Sequence, residues 1–208
     1  MLLRRDPQRT RQALVDSAQQ EIHQRGYQAA SLQEILARAG VTKGALYHHF
    51  PHKKALGLAV LERLAQMVER MWLAPLEGAA DPVTALQEAI RAAGQSLGWE
   101  DLLLGCPLQN LAGEMAPLDE DFRRGAAEIY QMWRDGVAAA LAQGQRQGLV
   151  RPELDPGAAA VFFVAALSGG RTQAKTARDA GLLAATAATL VAWLDTLRVP
   201  GTGDRASA

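Results

Sequence analysis

Between positions 42 and 54 the chain gathers a hydroxyl (Thr42), a bare backbone (Gly44), a phenol (Tyr47), two imidazoles (His48, His49) and three ammonium groups (Lys43, Lys53, Lys54). These groups meet phosphate oxygens and base edges; they are not a set that breaks covalent bonds. At helical spacing Leu46 and Phe50 lie four apart and face a core, which leaves Lys43, Gly44, Tyr47 and His48 on another side. A short helix of this kind fits a major groove about 12 Å wide. Lys53 and Lys54 open the next helix, whose positive N-terminal end also favours a phosphate. His48-His49-x-x-His52 invites a metal reading, but Pro51 interrupts it and no carboxylate or cysteine stands near. No metal site and no cofactor are read from the chain.

Catalysis finds little support elsewhere. No histidine follows His52, and no Ser/His/Asp set, metal cluster or Gly-rich phosphate loop is present. The chain is read as a non-enzyme. Soft and aromatic residues collect instead between positions 64 and 133. Met67, Met71, Trp72, Leu103, Cys106, Leu111, Tyr130 and Trp133 suit a mostly apolar pocket for a lipophilic small molecule, or an ordinary core. Tyr130 and Trp133 favour the pocket, because large amphipathic rings prefer a partly open site. Cys106 lies in Gly105-Cys106-Pro107, at an expected helix start. A thiol there is a candidate for reaction with oxidants or electrophiles, or a small buried hydrophobe. Arg123, Arg124 and Arg134 offer partners for an anionic head such as an acyl-CoA or carboxylate, or are surface charge, the favoured reading.

The elements that position these groups are helical almost throughout. Ala, Leu, Gln, Arg and Glu dominate, and alternating β-branched runs are missing. A first helix is expected over Pro7–Arg25, with Leu14, Ala18 and Ile22 on one face and Gly26 ending it. Ser31-Leu32-Gln33-Glu34 reads as a capping box for a two-turn helix that Gly40 stops. Thr42 caps the third helix and Pro51 ends it. Six longer helices follow, over 52–72, 82–97, 107–116, 120–147, 155–175 and 181–197, with a break at 98–105. In the first of them Leu56, Val60, Leu64, Met67 and Met71 mark a buried stripe. The fold class is all-α with nine helices: a three-helix bundle containing a helix-turn-helix over residues 1–52, and a larger six-helix domain over 53–200. Residues 201–208 are expected to form a flexible tail.

Charge supports this division. Residues 1–54 hold nine basic and four acidic side chains and the remainder thirteen and eighteen, +5 against −5 within a neutral chain of 208 residues. A basic module suits a polyanion; the acidic remainder has another task. One cysteine excludes an internal disulfide framework and fits a reducing compartment. Residues 1–6 lack a signal-peptide-like apolar stretch, and the longest apolar run, 157–167, is too short to span a bilayer. A cytoplasmic protein is expected.

The ordered series Arg25-Gly26-Tyr27, Ala30-Ser31-Leu32, Ile35, Ala39-Gly40-Val41-Thr42-Lys43-Gly44-Ala45-Leu46-Tyr47-His48-His49-Phe50 and Lys53-Lys54-Ala55-Leu56 resembles the DNA-binding domain of the TetR/AcrR family of transcriptional regulators. The resemblance covers about a quarter of the chain. It implies that Thr42, Gly44, Tyr47 and His48 face bases or their sugar-phosphate rim, and that Ser31, Lys43, His49 and Lys53 hold phosphates. Ala45 adds van der Waals contact. It further implies a homodimer through 155–175 and 181–197 and a diverged ligand-binding and dimerisation domain. The expected function is a repressor that a lipophilic ligand releases from a palindromic operator. A redox or electrophile sensor acting through Cys106 is the alternative.

Overall fold

The computed structural model describes residues 6–96 and 98–200; the expected tail, 201–208, lies outside them. Helix α1 (Pro7–Arg25) starts on Asp6, whose carboxylate accepts from the Gln8 amide at 2.9 Å. Leu14, Ala18 and Ile22 are buried along one face, joined by Val15, Ser17 and Glu21. Helix α2 (Leu32–Ala39) is capped by Ser31 through the Glu34 amide. Only half of the expected capping box forms with local partners. The Ser31 amide donates to Glu21 of α1, not to Glu34, because the buried carboxylate of α1 already occupies that place. Gly40 closes α2 in the left-handed region at φ 64°, the turn of the helix-turn-helix.

Helix α3 (Lys43–His49) is capped by Thr42 through the Ala45 amide at 3.3 Å. Leu46 and Phe50 anchor it, at 2% and 4% exposure. Helix α4 (Lys53–Val68) passes into a π turn (Glu69–Leu73) and a short 3-10 turn (Ala74–Leu76). Here the expected stripe needs correction. Leu56, Val60 and Leu64 are buried as expected, but the stripe continues through Val68 and Trp72 at steps of four. Met67 and Met71 sit on its half-exposed flank.

Helices α5 (Pro82–Ser96), α6 (Trp99–Leu104), α7 (Pro107–Met115), α8 (Glu120–Arg146), α9 (Pro156–Ala177) and α10 (Ala180–Asp195) complete the fold. The described residues thus form ten α-helices, not nine. The extra one, α6, occupies the expected 98–105 break, with Asp101 accepting from the Gly98 amide. Two helical units result. Among the described residues, the first contains 6–66 together with 107–128; the second contains 67–106 and 129–200. Sequence reading puts a single cut after residue 52. The packing groups α7 and the start of α8 with the amino-terminal helices.

Within the first unit, Gly57 of α4 lies where a Cβ would stand 2.6 Å from the Tyr27 ring and 2.7 Å from Phe122. Those two rings pack with centroids 4.7 Å apart. Overpacking at such a contact costs about 1–3 kcal/mol. A Gly57→Ala substitution is expected to lower unfolding free energy by that amount in urea denaturation followed by circular dichroism.

Candidate functional site

The structure puts the expected reading face on the surface. Thr42, Lys43, Gly44, Tyr47 and His48 are exposed, while Ala45 and His49 are half-buried. Tyr47 has 45% of its surface open, which excludes a core role for its ring. The Lys43 ammonium lies 5.9 Å from the centre of that ring, and the His48 and His49 rings meet at 5.2 Å. A phenol flanked by an ammonium group and an imidazole can meet base edges and phosphates together. His52 has a local task, with Nδ1 accepting from the Ala55 amide at the start of α4.

The two lysines at the start of α4 are more engaged than their sequence position indicates. Lys53 donates to the carbonyls of Gln28 at 3.1 Å and Ala30 at 2.7 Å and lies over the Tyr27 ring at 5.1 Å. Burial holds its ammonium below the usual lysine pKa, partly offset by the charges of Glu114 and Glu21. Lys54 forms ion pairs with Asp119 and Asp121, each at 2.7 Å. Its bonds to these carboxylates hold its pKa above the ordinary value. Lys53 therefore braces the segment before α2 from beside the reading face, and Lys54 fastens α4 to the start of α8.

Two acidic residues that sequence reasoning missed complete this frame. Glu21, 1% exposed, takes the Ser31 amide, Arg38 and Arg25, each at 3.3 Å. Glu114 of α7 accepts from the amides of Tyr27 at 2.7 Å and Gln28 at 2.8 Å. The only available signal for Glu21 was a carboxylate on the apolar face of α1. Glu114 gave none, since its partners lie 87 and 86 positions away.

The structure gives the eight expected pocket residues several different surroundings. Trp72 and Trp133 stack with centroids 5.2 Å apart, and Phe163 of α9 meets Trp72 edge-on at 5.9 Å. Tyr130 and Cys106 are half-buried in the same unit, as is Leu103. Met67 and Met71 instead line an open groove of about 470 Å³ with Arg70, Glu88 and alanines of α5. Leu111 is buried in the first unit, on α7. Phe163 and Ser168, both on α9, were not foreseen, because the contacts that bring them here span distant helices. Arg171 of α9 donates to the Gly105 carbonyl at 3.0 Å and fixes the turn before Cys106. Among the described residues, no group of three or more His, Cys, Asp or Glu is placed to hold a metal ion.

A capped α2, a left-handed glycine turn and an exposed, polar α3 define a helix-turn-helix DNA-binding protein. Comparison with known proteins places it further. The family described as bacterial regulatory proteins, tetR family, matches residues 14–60. The C-terminal domain of LmrA/YxaF-like transcriptional regulators matches residues 82–189. The transcriptional repressor DhaR of Mycobacterium sp. (strain GP1) is 32% identical, over 81% of this chain and 84% of its own. The A-factor receptor protein of Streptomyces griseus is also 32% identical, over 77% of this chain and 53% of its own. A solved TetR regulatory protein from Rhodobacter sphaeroides superposes with a TM-score of 0.77 at 27% identity, covering 90% and 98% of the two chains. A TetR regulator from Chloroflexus aurantiacus gives 0.80 at 25%, covering 92% and 97%. The chain belongs to the TetR family of bacterial transcriptional regulators and is a ligand-responsive DNA-binding protein.

Tyr130 offers a test of how closed the second unit is. Burial pushes its phenol up to about 12, the nearby Cys106 adds to this, and a hydrogen bond with Ser168 pulls the other way. The fold favours the neutral phenol. That stabilisation is complete below the unfolded value near 10 and disappears as pH climbs from 10 toward 12. Urea denaturation between pH 9 and 11.5 is expected to show an alkaline loss of about 1 kcal/mol that Tyr130→Phe removes.

Proposed function

We propose that the protein is a cytoplasmic, non-enzymatic repressor that pairs with a second copy of itself and grips a near-palindromic operator. A lipophilic small molecule releases it. Thr42, Gly44, Ala45, Tyr47 and His48 meet bases and their sugar-phosphate rim. Ser31, Lys43, His49 and Lys53 meet phosphates, Lys53 with the N–H not given to carbonyls. The observation that carries the reading is the two-sided α3, with Leu46 and Phe50 buried and Tyr47 and His48 exposed.

The dimer is assigned to residues 155–175 and 181–197. Phe162 is 50% exposed, Val161 54% and Leu182 38%, and Phe162 and Leu182 border an apolar groove of about 330 Å³ with Trp193. Such a face calls for a partner. Gly170 is spent within the chain, against Thr186 of α10. Two copies present two α3 helices about one DNA turn, ~34 Å, apart, so a change in their spacing prevents simultaneous docking. Names of relatives support a repressor with a receptor function, DhaR being named a repressor and the A-factor protein a receptor. No described helix is long and apolar enough to cross a membrane.

The test is fluorescence anisotropy on an operator selected from random duplexes. Tyr47→Ala is expected to weaken binding by about 1–3 kcal/mol, and Lys43→Ala to reduce the salt slope by about 1. Unchanged affinity and slope in both would refute the assigned face. In sedimentation, Phe162→Glu is expected to shift the protein toward monomer and to lower operator affinity with it; an intact dimer would refute the assigned interface.

A further inference from the structure

Two locally costly features coincide in the second unit. The first is the π turn Glu69–Leu73, which carries Trp72. Such turns are rare and recur at functional sites, where the extra residue re-aims a side chain. The second is the indole of Trp133, on which Trp72 stacks. Trp133 is 4% exposed, yet its Nε1–H has no acceptor among the described residues. A buried donor left unmatched is destabilising, and native folds seldom keep one without a use.

The surroundings define what would satisfy it. The Trp72 ring stacks on that of Trp133 with centroids 5.2 Å apart, and the Phe163 ring meets Trp72 edge-on at 5.9 Å. Aromatic walls favour a flat apolar body. A neutral N–H favours an uncharged acceptor, since an ionised head would enter this ring cluster without a counter-ion. Tyr130, one helical turn before Trp133, has its phenol pKa pushed up to about 12 by burial. It adds a second uncharged polar group on the same helix.

We infer that the effector class is a neutral, largely apolar molecule bearing a carbonyl or similar oxygen, and that Trp133 Nε1 donates to that oxygen while the body lies against the Trp72–Trp133 pair. This rests on the repressor reading above and specifies its ligand. Trp133 is the specificity-determining donor. It separates an oxygenated molecule from a hydrocarbon of the same shape.

The test uses the full-length protein with two near-isosteric probes, acetophenone and isopropylbenzene. Their dissociation constants are measured by tryptophan fluorescence in wild type and in Trp133→Phe. The ratio of the two constants is expected to change by about tenfold between the proteins, the loss of one hydrogen bond, while partitioning of each probe cancels. An unchanged ratio overturns the proposal. Indole N–H signals of the four tryptophans give a second measurement that does not depend on the variant folding. In wild type one signal moves downfield with acetophenone and stays with isopropylbenzene. No movement at millimolar ketone, or equal movement with both probes, overturns it.

Operator release separates this inference from the broader reading. If both probes release DNA equally and no indole signal moves, the inference fails while ligand control stands. If the ketone engages Trp133 but leaves the operator bound, the donor role of Trp133 stands while the assignment of this class as effector is overturned.

Discussion

The reading head depends on one buried carboxylate. Glu21 is almost wholly removed from water and yet ionically paired, with Arg38 and Arg25 each 3.3 Å away. Its other role is to accept the Ser31 amide at the start of α2, while Arg38, near the end of α2, also reaches the Ser17 carbonyl at 3.2 Å. Both ends of α2 are therefore referred to α1. A buried pair of this kind is a poor source of net stability, because desolvation offsets most of the attraction. What it supplies is geometry: an alternative seating of α2 would strand a carboxylate without water or partner, at about 3–5 kcal/mol. Helix α3 follows α2 through a single left-handed glycine, so the orientation set by Glu21 passes directly to Tyr47 and His48.

A second layer of contacts holds the segment between α1 and α2. Its amides go to Glu114, its carbonyls to Lys53, and the Tyr27 ring to Phe122. Lys54 is held by Asp119 and Asp121. The acids belong to α7 and the turn into α8, whereas the cations belong to α4. The charge asymmetry of the chain thus has two uses. The exposed Lys43 of α3 is left for a polyanion, and Lys54 at the start of α4 is matched by acids drawn from the more acidic remainder.

How much of this was legible follows from sequence distance. The caps at Ser31 and Thr42, the turn at Gly40 and the two faces of α3 are set by residues within four positions of one another. Periodicity and capping chemistry reveal them directly. The stripe of α4 was legible as far as Leu64 and failed beyond it, where the buried face keeps steps of four to Val68 and Trp72 while the apolar Met67 and Met71 lie on its flank. Helix α6 was missed because Gly98 and Gly105 bound only six helical residues, fewer than two turns of pattern. Glu114, Phe163 and Ser168 were invisible because their partners come from distant helices. Apolar residue types name a core but not which neighbours share it, so the ring contacts of Trp72, Trp133 and Phe163 could not be read from the sequence.

That asymmetry bears on how a ligand can act. A molecule shifts an equilibrium only by its difference in affinity between two states, so a ligand in the second unit must alter something that the first unit also feels. The chain offers two continuous helices for this. The division between units falls within α4, after residue 66, and within α8, after residue 128. Trp72 lies on the turn that continues α4, and Trp133 lies on α8 five residues past the division. The stacked pair therefore joins the two helices that run covalently into the unit carrying α3. A ligand bound against that stack, as proposed, would touch both helices at once, and by reciprocity operator DNA would change the ligand's affinity by the same factor.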